Sequence, residues 1–383
     1  MSTITFLQPK RLTFGSGCIT ECVAYLAALG APRVHIVSSP SMTERVDLLR
    51  GALRGSGCDV STDLCVNTEP TLRMFEEALV RAREAGPSCV LGVGGGSALD
   101  VAKLIAAFVY SKQTVQEAFG IGLLASRDCH LVCVPSTSGT GSEVSPNAIL
   151  LDENAALKKG VVSPFLVPDA TFIDPELTHT VPPKVTAFTG LDALTHCVEA
   201  YTNKFAHPLV DVYALQGIVL SAKHLAAAVR NGNDAEARSG MSMASLYGGL
   251  CLGPVNTAAV HALAYPLGGE FHLAHGLSNA VLLSPVFRFN AKAAPCRHAE
   301  VARAMGAPPG KSDEESANIG ADLFARLAEE CGLVLDLARY GVTRKDIPRL
   351  AESAMTVTRL LRNNPRPLDR ADAEEIYQQC FAE

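Results

Sequence analysis

No two of the twelve cysteines stand in CxxC spacing. They are scattered, so no disulfide framework is read from them. In a large non-secreted chain such residues are expected to be buried, reduced and to behave as small hydrophobes. A basic excess is also missing: 33 Lys and Arg face 39 Asp and Glu, for a net charge of −6. The charges are interspersed, so nucleic-acid binding has no electrostatic footprint. The opening stretch, "MSTITFLQPKRLTFGSG", lacks a charged segment followed by an apolar one, so no signal peptide is expected. Apolar runs such as "SCVLGVGGG" and "NAILL" fall far short of the roughly 20 residues of a membrane helix. These absences lead us to expect a soluble, cytoplasmic protein with neither membrane nor nucleic acid as partner. Tryptophan, internal repeats and low-complexity tracts are absent too, and nothing further is read from them.

What is present is an ordinary globular composition, 48% apolar and 19% charged, over 383 residues. At about 100–200 residues per domain, two or three domains are expected. The first part alternates short apolar runs with helical patterns. "RVHIVSS" reads as a strand and "MTERVDLLRGALRGSG" as a helix ended by Gly55. "CDVSTDLC" is a strand again, and "TLRMFEEALVRAREAG" an amphipathic helix with a terminal glycine. "SCVLGVGGGS" and "HLVCVPSTSGTGSEV" read as strands entering polar glycine loops. This alternation predicts a parallel, Rossmann-like α/β sheet. After Pro182 the strand signals stop and a 3.6-residue apolar period takes over. We therefore expect an α/β domain over 1–180 and an all-α domain over 181–383, with "TVPPK" as the hinge.

The turn "GGGSALD" (94–100) leaves a strand and opens a helix. Such a turn lets backbone N–H groups approach a phosphate, at the positive end of the helix dipole. Its spacing is neither GxGxxG nor GxxxxGK[ST]. The second loop, "STSGTGSEV" (136–144), also leaves a strand. Two such loops at strand carboxyl ends mark the crevice where parallel sheets bind nucleotides. Lys158 fits a phosphate contact and a solvated surface residue equally well.

"GLDALTHCVEAY" (190–201) places Asp192 and His196 four apart, one helical turn on one face. That is half of a divalent-metal site. His261 and His275, fourteen apart across a glycine-rich turn, can supply the other half. One carboxylate and three imidazoles suit Fe(II), Zn(II) or Mn(II); without thiolates a structural zinc site fits less well. On spacing alone, satisfied core histidines remain the alternative. His35, His130, His179, His224 and His298 are expected to be such residues, and His207 a loop residue.

These stretches coincide with a known family. The chain resembles the iron-containing (group III) alcohol dehydrogenases over nearly its whole length. The resemblance is carried by "FGSG", "GGGSALDVAK", "PSTSGTGSEV", "FIDPELT", "GLDALTHCVEAY", "VHALAYPLGGEFHLAHGLSNAVLL" and "NPRPLDRADAEEIY". It implies a dehydroquinate-synthase-like fold: a dinucleotide-binding α/β domain and a helical domain, with a metal and a nicotinamide in the cleft between them. It assigns the metal to Asp192, His196, His261 and His275. It assigns the dinucleotide to Gly94, Gly95, Gly96, Ser97 and Asp100, to Thr137, Ser138, Thr140 and Ser142, and to Lys158. Fe(II) is the implied metal. Zn(II) would bind such a site at least as tightly by the Irving–Williams order, so loading follows supply. The implied reaction is hydride transfer between NAD or NADP and an alcohol, aldehyde or ketone. An oxo-acid reductase of the maleylacetate reductase or hydroxyacid dehydrogenase type is the second reading. Family members are commonly homodimers or larger.

Three positions depart from the family. Tyr265 stands where many members have a histidine that relays the alcohol proton. A phenol, with an ordinary pKa of about 10 against 6.5, either joins a water-assisted relay or only lines the site with His272 helping nearby, and the lining role is favoured. Ser39 replaces an aspartate that would repel a 2′-phosphate, so NADP is admissible, with Arg45 as a phosphate candidate. Glu69 stands where many members have Asn. Asn147, Leu252 and Phe271 are candidates for the substrate wall.

Overall fold

The computed structural model describes residues 3–30, 33–153 and 157–382. They form two compact units. One comprises Leu7–Thr137 and Gly141–Thr178; the other runs from His179 onward and also takes the chain up to Phe6 and Ser138–Thr140.

The first unit holds nine strands: β1 (Arg11–Phe14), β2 (Arg33–Val37), β3 (Asp59–Asp63), β4 (Cys89–Gly94), β5 (Gly120–Ile121), β6 (His130–Pro135), β7 (Asn147–Asp152), β8 (Leu157–Val162) and β9 (Ala170–Ile173). Five helices accompany them: α1 (Ile19–Ala28), α2 (Thr43–Gly55), α3 (Leu72–Ala85), α4 (Gly96–Phe108) and α5 (Val115–Ala118). Six strands make one sheet in the order β1-β9-β6-β4-β2-β3, every pairing parallel. All of β4 is buried, as a central strand covered on both faces must be. Local signals set the boundaries. Thr71 caps α3 by accepting from Met74 N, and Gly86 ends it in the left-handed conformation, φ 54°. A second sheet, β5-β8-β7, was not expected from the residue pattern; its β7–β8 pair is antiparallel.

The second unit is helical: α6 (Pro183–Thr202), α7 (Pro208–Arg230), α8 (Ala235–Leu252), α9 (Ala259–Phe271), α10 (His275–Ala291), α11 (Pro295–Ala304), α12 (Asp313–Glu330), α13 (Ile347–Met355), α14 (Thr358–Leu361) and α15 (Arg370–Gln378). Pro183 is the first residue of α6, where its missing N–H costs nothing, so the "TVPPK" stretch opens a helix. Helix α7, 23 residues long, is long and apolar enough to cross a bilayer by length and composition. Charges at Asp211 and Lys223 break the run read by eye, yet not its mean hydropathy. Val210, Ala214, Ile218, Leu225 and Ala228 nevertheless sink its inner face into the helical core.

Of the histidines expected in the core, His35, His224 and His298 are buried, while His130 and His179 are half-buried. His207 caps α7 by accepting from Leu209 N. Among the cysteines Cys296 is exposed and Cys65 half-buried, against expectation; the others are buried and all are unpaired.

Candidate metal and dinucleotide sites

Helix α6 presents Asp192 and His196 one turn apart, with both side chains buried. Helix α9 supplies His261, and His275 opens α10. The glycine-rich turn expected between those two histidines lies elsewhere. Gly268 and Gly269 are inside α9, and the break comes at His272, a left-handed residue with φ 55°. That break turns the chain so that His275 reaches the same point as His261. Asp192 Oδ1 lies 3.7 Å from His196 Nε2, 3.5 Å from His261 Nε2 and 3.6 Å from His275 Nε2. The donor atoms of Asp192, His261 and His275 all fall within 4.8 Å of one another. The His196 and His261 rings stack at 4.8 Å.

Electrostatics reinforce the cluster. Burial alone would raise the Asp192 carboxyl, but the imidazoles of His196, His275 and His261 hold it well below the usual carboxylate range. Burial lowers the His196 imidazole. His261 is pushed down by burial too, yet Glu199 and Asp192 outweigh that and raise it to about 10. Four donors converge, one oxygen and three nitrogens, with Asp192, His196 and His261 buried and His275 half-buried. That donor set fits a divalent first-row cation.

Two residues of this cluster were missed in the sequence. Glu199 is buried; one oxygen accepts from Val260 N at 2.6 Å and the other meets His261 Nδ1 at 2.5 Å. It thereby fixes the ring and leaves Nε2 turned toward Asp192. The signal was there: Glu199 follows Asp192 by seven residues, hence on the same helix face. Asn279, also buried, donates to Asp192 Oδ1 at 2.7 Å. It follows His275 by four, the same spacing that picked out His196.

Tyr265 is one turn beyond His261, buried, its ring 6.4 Å from that of His275. Its hydroxyl accepts from Arg359 Nη2 at 3.2 Å. His272 is exposed at the end of α9, outside the bonds and ring contacts that join the cluster. Leu252 is buried, and Phe271 packs against the helical core.

In the α/β unit, only Gly95 separates β4 from α4. Gly96 and Ser97 are the first residues of α4, so the expected turn is also the helix N-terminus. Gly94 needs its glycine: φ is +150°, and a Cβ would meet the Ala98 Cβ at 2.9 Å. Thr137 lies beside Gly95, 3.5 Å from where its Cβ would be. Asp100 turns away from the turn: its oxygens accept from Ser142 Oγ at 2.5 Å and Ile149 N at 2.9 Å. Beneath the second loop sits Lys103, fully buried. It donates to the carbonyls of Ser142 at 2.9 Å, Ser145 at 2.8 Å and Asn147 at 2.5 Å. Burial lowers its ammonium and raises Asp100, and each charge counters the other's shift. Burial also pushes the neighbouring Glu143 carboxyl up to about 7. Sequence reasoning passed over Lys103, whose only sign was a lone cation in an apolar helix.

The remaining loop residues divide. Ser138 and Thr140 pack with the helical unit, where Ser138 Oγ meets Ser242 Oγ at 3.1 Å. At Gly139 a Cβ would strike Thr189 at 2.6 Å. Lys158 is no solvated surface residue. It is buried and paired with Glu69, the residue that replaces the family's Asn. Ser39 Oγ bonds Ser41 Oγ at 2.7 Å. Arg45 lines a cavity of about 220 Å³ with Leu48, Leu49, Val93 and Leu177.

Comparison with known proteins bears on both units. A family model described as "Iron-containing alcohol dehydrogenase" matches residues 9–175. Another, "Fe-containing alcohol dehydrogenase family, C-terminal", matches residues 186–381. Long-chain-alcohol dehydrogenase 1 of Geobacillus thermodenitrificans is 37% identical, over 100% of this chain and 98% of its own. The crystal structure of a 1,3-propanediol oxidoreductase superposes with a TM-score of 0.96 at 32% identity, covering 99% of this chain and 100% of that one. Sulfoacetaldehyde reductase from Bifidobacterium kashiwanohense, solved in complex with NAD+, gives a TM-score of 0.89 at 26% identity, covering 100% of each.

Proposed function

The chain belongs to the iron-containing alcohol dehydrogenase family, and on that premise we propose a role for each part of its two sites. It is an oxidoreductase that interconverts an alcohol and an aldehyde or ketone, with iron and NAD as cofactors. Iron supplies Lewis acidity toward the substrate oxygen, and the nicotinamide supplies or takes the hydride.

In this reading Asp192, His196, His261 and His275 hold the metal. The observation that carries it is the convergence of three imidazole nitrogens, at 3.5–3.7 Å, on one buried Asp192 oxygen. Glu199 keeps the His261 proton on Nδ1, and Asn279 orients the Asp192 carboxylate. The N-terminus of α4, with Gly94, Gly95, Gly96 and Ser97, receives the pyrophosphate. Asp100 and Ser142 shape the second loop, while Thr137, Ser138 and Thr140 face the cofactor. Lys158 contributes positive charge moderated by Glu69. With Ser39 in place of an acid and Arg45 nearby in sequence, NADP is accepted as well as NAD. Tyr265 excludes water and closes the wall beside His275; its hydroxyl is already engaged by Arg359. His272, exposed, passes protons to solvent.

The twelve unpaired cysteines support a cytoplasmic location. Exposed Phe205, Leu209 and Val212, around the start of α7, support a homodimer or larger assembly.

The test is oxidation of NADH and NADPH with short aldehydes, on protein stripped by chelator and reloaded anaerobically. We expect turnover to vanish on stripping and to return with Fe(II). Turnover indifferent to metal would reject the reading.

A further inference from the structure

We propose that Arg359 recognises an oxyanion at the far end of the substrate, so that the enzyme acts on short aldehydes bearing a carboxylate or sulfonate. This rests on the site assigned above.

Arg359 is half-buried on the short helix α14, and its Nη2 donates to the Tyr265 hydroxyl at 3.2 Å. Tyr265 is on the same helix as His261, one turn on, and its ring stands 6.4 Å from that of His275. Leu360, next to Arg359, packs with Tyr265 and Ala262 in a small apolar cluster. The arginine is thus carried to the wall of the metal centre by buried neighbours. It is not a side chain swinging in solvent.

Its partner is a neutral hydroxyl. Three other arginines of the C-terminal segment meet carboxylates: Arg349 meets Glu270 and Asp346, Arg366 meets Asp372, and Arg370 meets Glu352 and Glu374. Among the described residues no carboxylate lies within ion-pair distance of Arg359. A neutral phenol is a poor match for a permanent cation with five donors in a fork. The charge balance points the same way. Asp192 and Glu199 offset the two charges of a divalent ion, and among the described residues no carboxylate pairs with Arg359. A guanidinium beside a cation site raises the electrostatic energy unless an anion arrives with the substrate. The planar fork takes two oxygens of a carboxylate or sulfonate side by side. When bound, that group would take over donors now turned to Tyr265, leaving the aldehyde end toward the metal. Tyr265 then has a reason to replace an ionisable imidazole: it offers the arginine a hydroxyl to rest on and adds no further positive charge.

The experiment compares kcat/KM for three aldehydes of similar length on the iron-loaded enzyme: 4-oxobutanoate, 3-oxopropane-1-sulfonate and butanal. Arg359→Met and Arg359→Lys are run beside the wild type. The selectivity ratio, anion over butanal, is internal to each preparation, so it is insensitive to folding and metal loading. We expect a wild-type ratio above about 10 for at least one anion. It should fall about 30- to 100-fold in Arg359→Met, the value of one charged hydrogen-bonding group, and partly recover in Arg359→Lys. The two anions tell which oxyanion the fork fits. Binding of unreactive succinate, followed by calorimetry, should weaken about tenfold or more in Arg359→Met. A wild-type ratio near or below one overturns the proposal while leaving the dehydrogenase reading intact. So does a ratio unmoved by Arg359→Met. No turnover of any of the three aldehydes overturns both.

Discussion

The loop proposed to hold the dinucleotide and the cluster proposed to hold the metal each rest on a buried charged side chain that gathers groups from elsewhere in the chain, a cation in one and an anion in the other. Under the loop lies Lys103, which gathers carbonyls of Ser142, Ser145 and Asn147. Behind the proposed metal ligands lies Glu199, which gathers the Val260 N–H and His261 Nδ1. The difference follows from what each site is made of. A loop that must turn its N–H groups toward a phosphate leaves carbonyls pointing inward, and these need a donor. A ligand histidine must keep its outer nitrogen protonated, and that proton needs an acceptor. The sign of the supporting charge can thus be derived from the job of the group it supports.

Two substitutions would break this comparison if it is wrong. The larger effect is expected from Lys103→Met. It leaves three buried carbonyls and the Asp100 charge without their cation, at a cost of about 3 kcal/mol or more. Thermal unfolding should drop by several degrees and KM for NADH should rise, while iron is retained. The smaller effect is expected from Glu199→Gln. An amide can still bond His261 but without charge, so iron affinity should fall about 10- to 100-fold with little change in KM for NADH. Chelator competition reads the first quantity and steady-state kinetics the second. If either variant moved both quantities together, the two supports would not be separate.

The same pair shows what could be read from the sequence. Asp192 and His196 were legible because four residues is one helical turn, and Gly94 to Ser97 because a strand running into glycines before a helix has few other readings. The α/β and helical halves followed from a change of apolar period near Pro182. Lys103 and Glu199 were not legible, because each acts on atoms far away in the chain. Lys103 reaches carbonyls about 40 residues on, and Glu199 a ring 62 residues on. The antiparallel β7–β8 pair escaped because β7, NAILLD, is an unbroken apolar run in sequence although its burial alternates, and β8 carries no simple alternation at all. His275 was found, but for an inexact reason: the reversal that brings it to His261 is a left-handed histidine, not a glycine turn. Glu69 and Lys158 could each be placed on a strand or loop, yet their pairing needed the fold.

The most direct measurement is iron content after anaerobic titration with Fe(II), comparing the wild type with His261→Ala. About one tightly held iron per chain is expected in the wild type. In the variant the iron should be lost to a weak chelator, with turnover reduced at least about 1,000-fold because the Lewis-acid contribution of several kcal/mol goes with the metal. A His261→Ala enzyme that kept its iron and its turnover would contradict the assignment of the metal to the α6, α9 and α10 cluster.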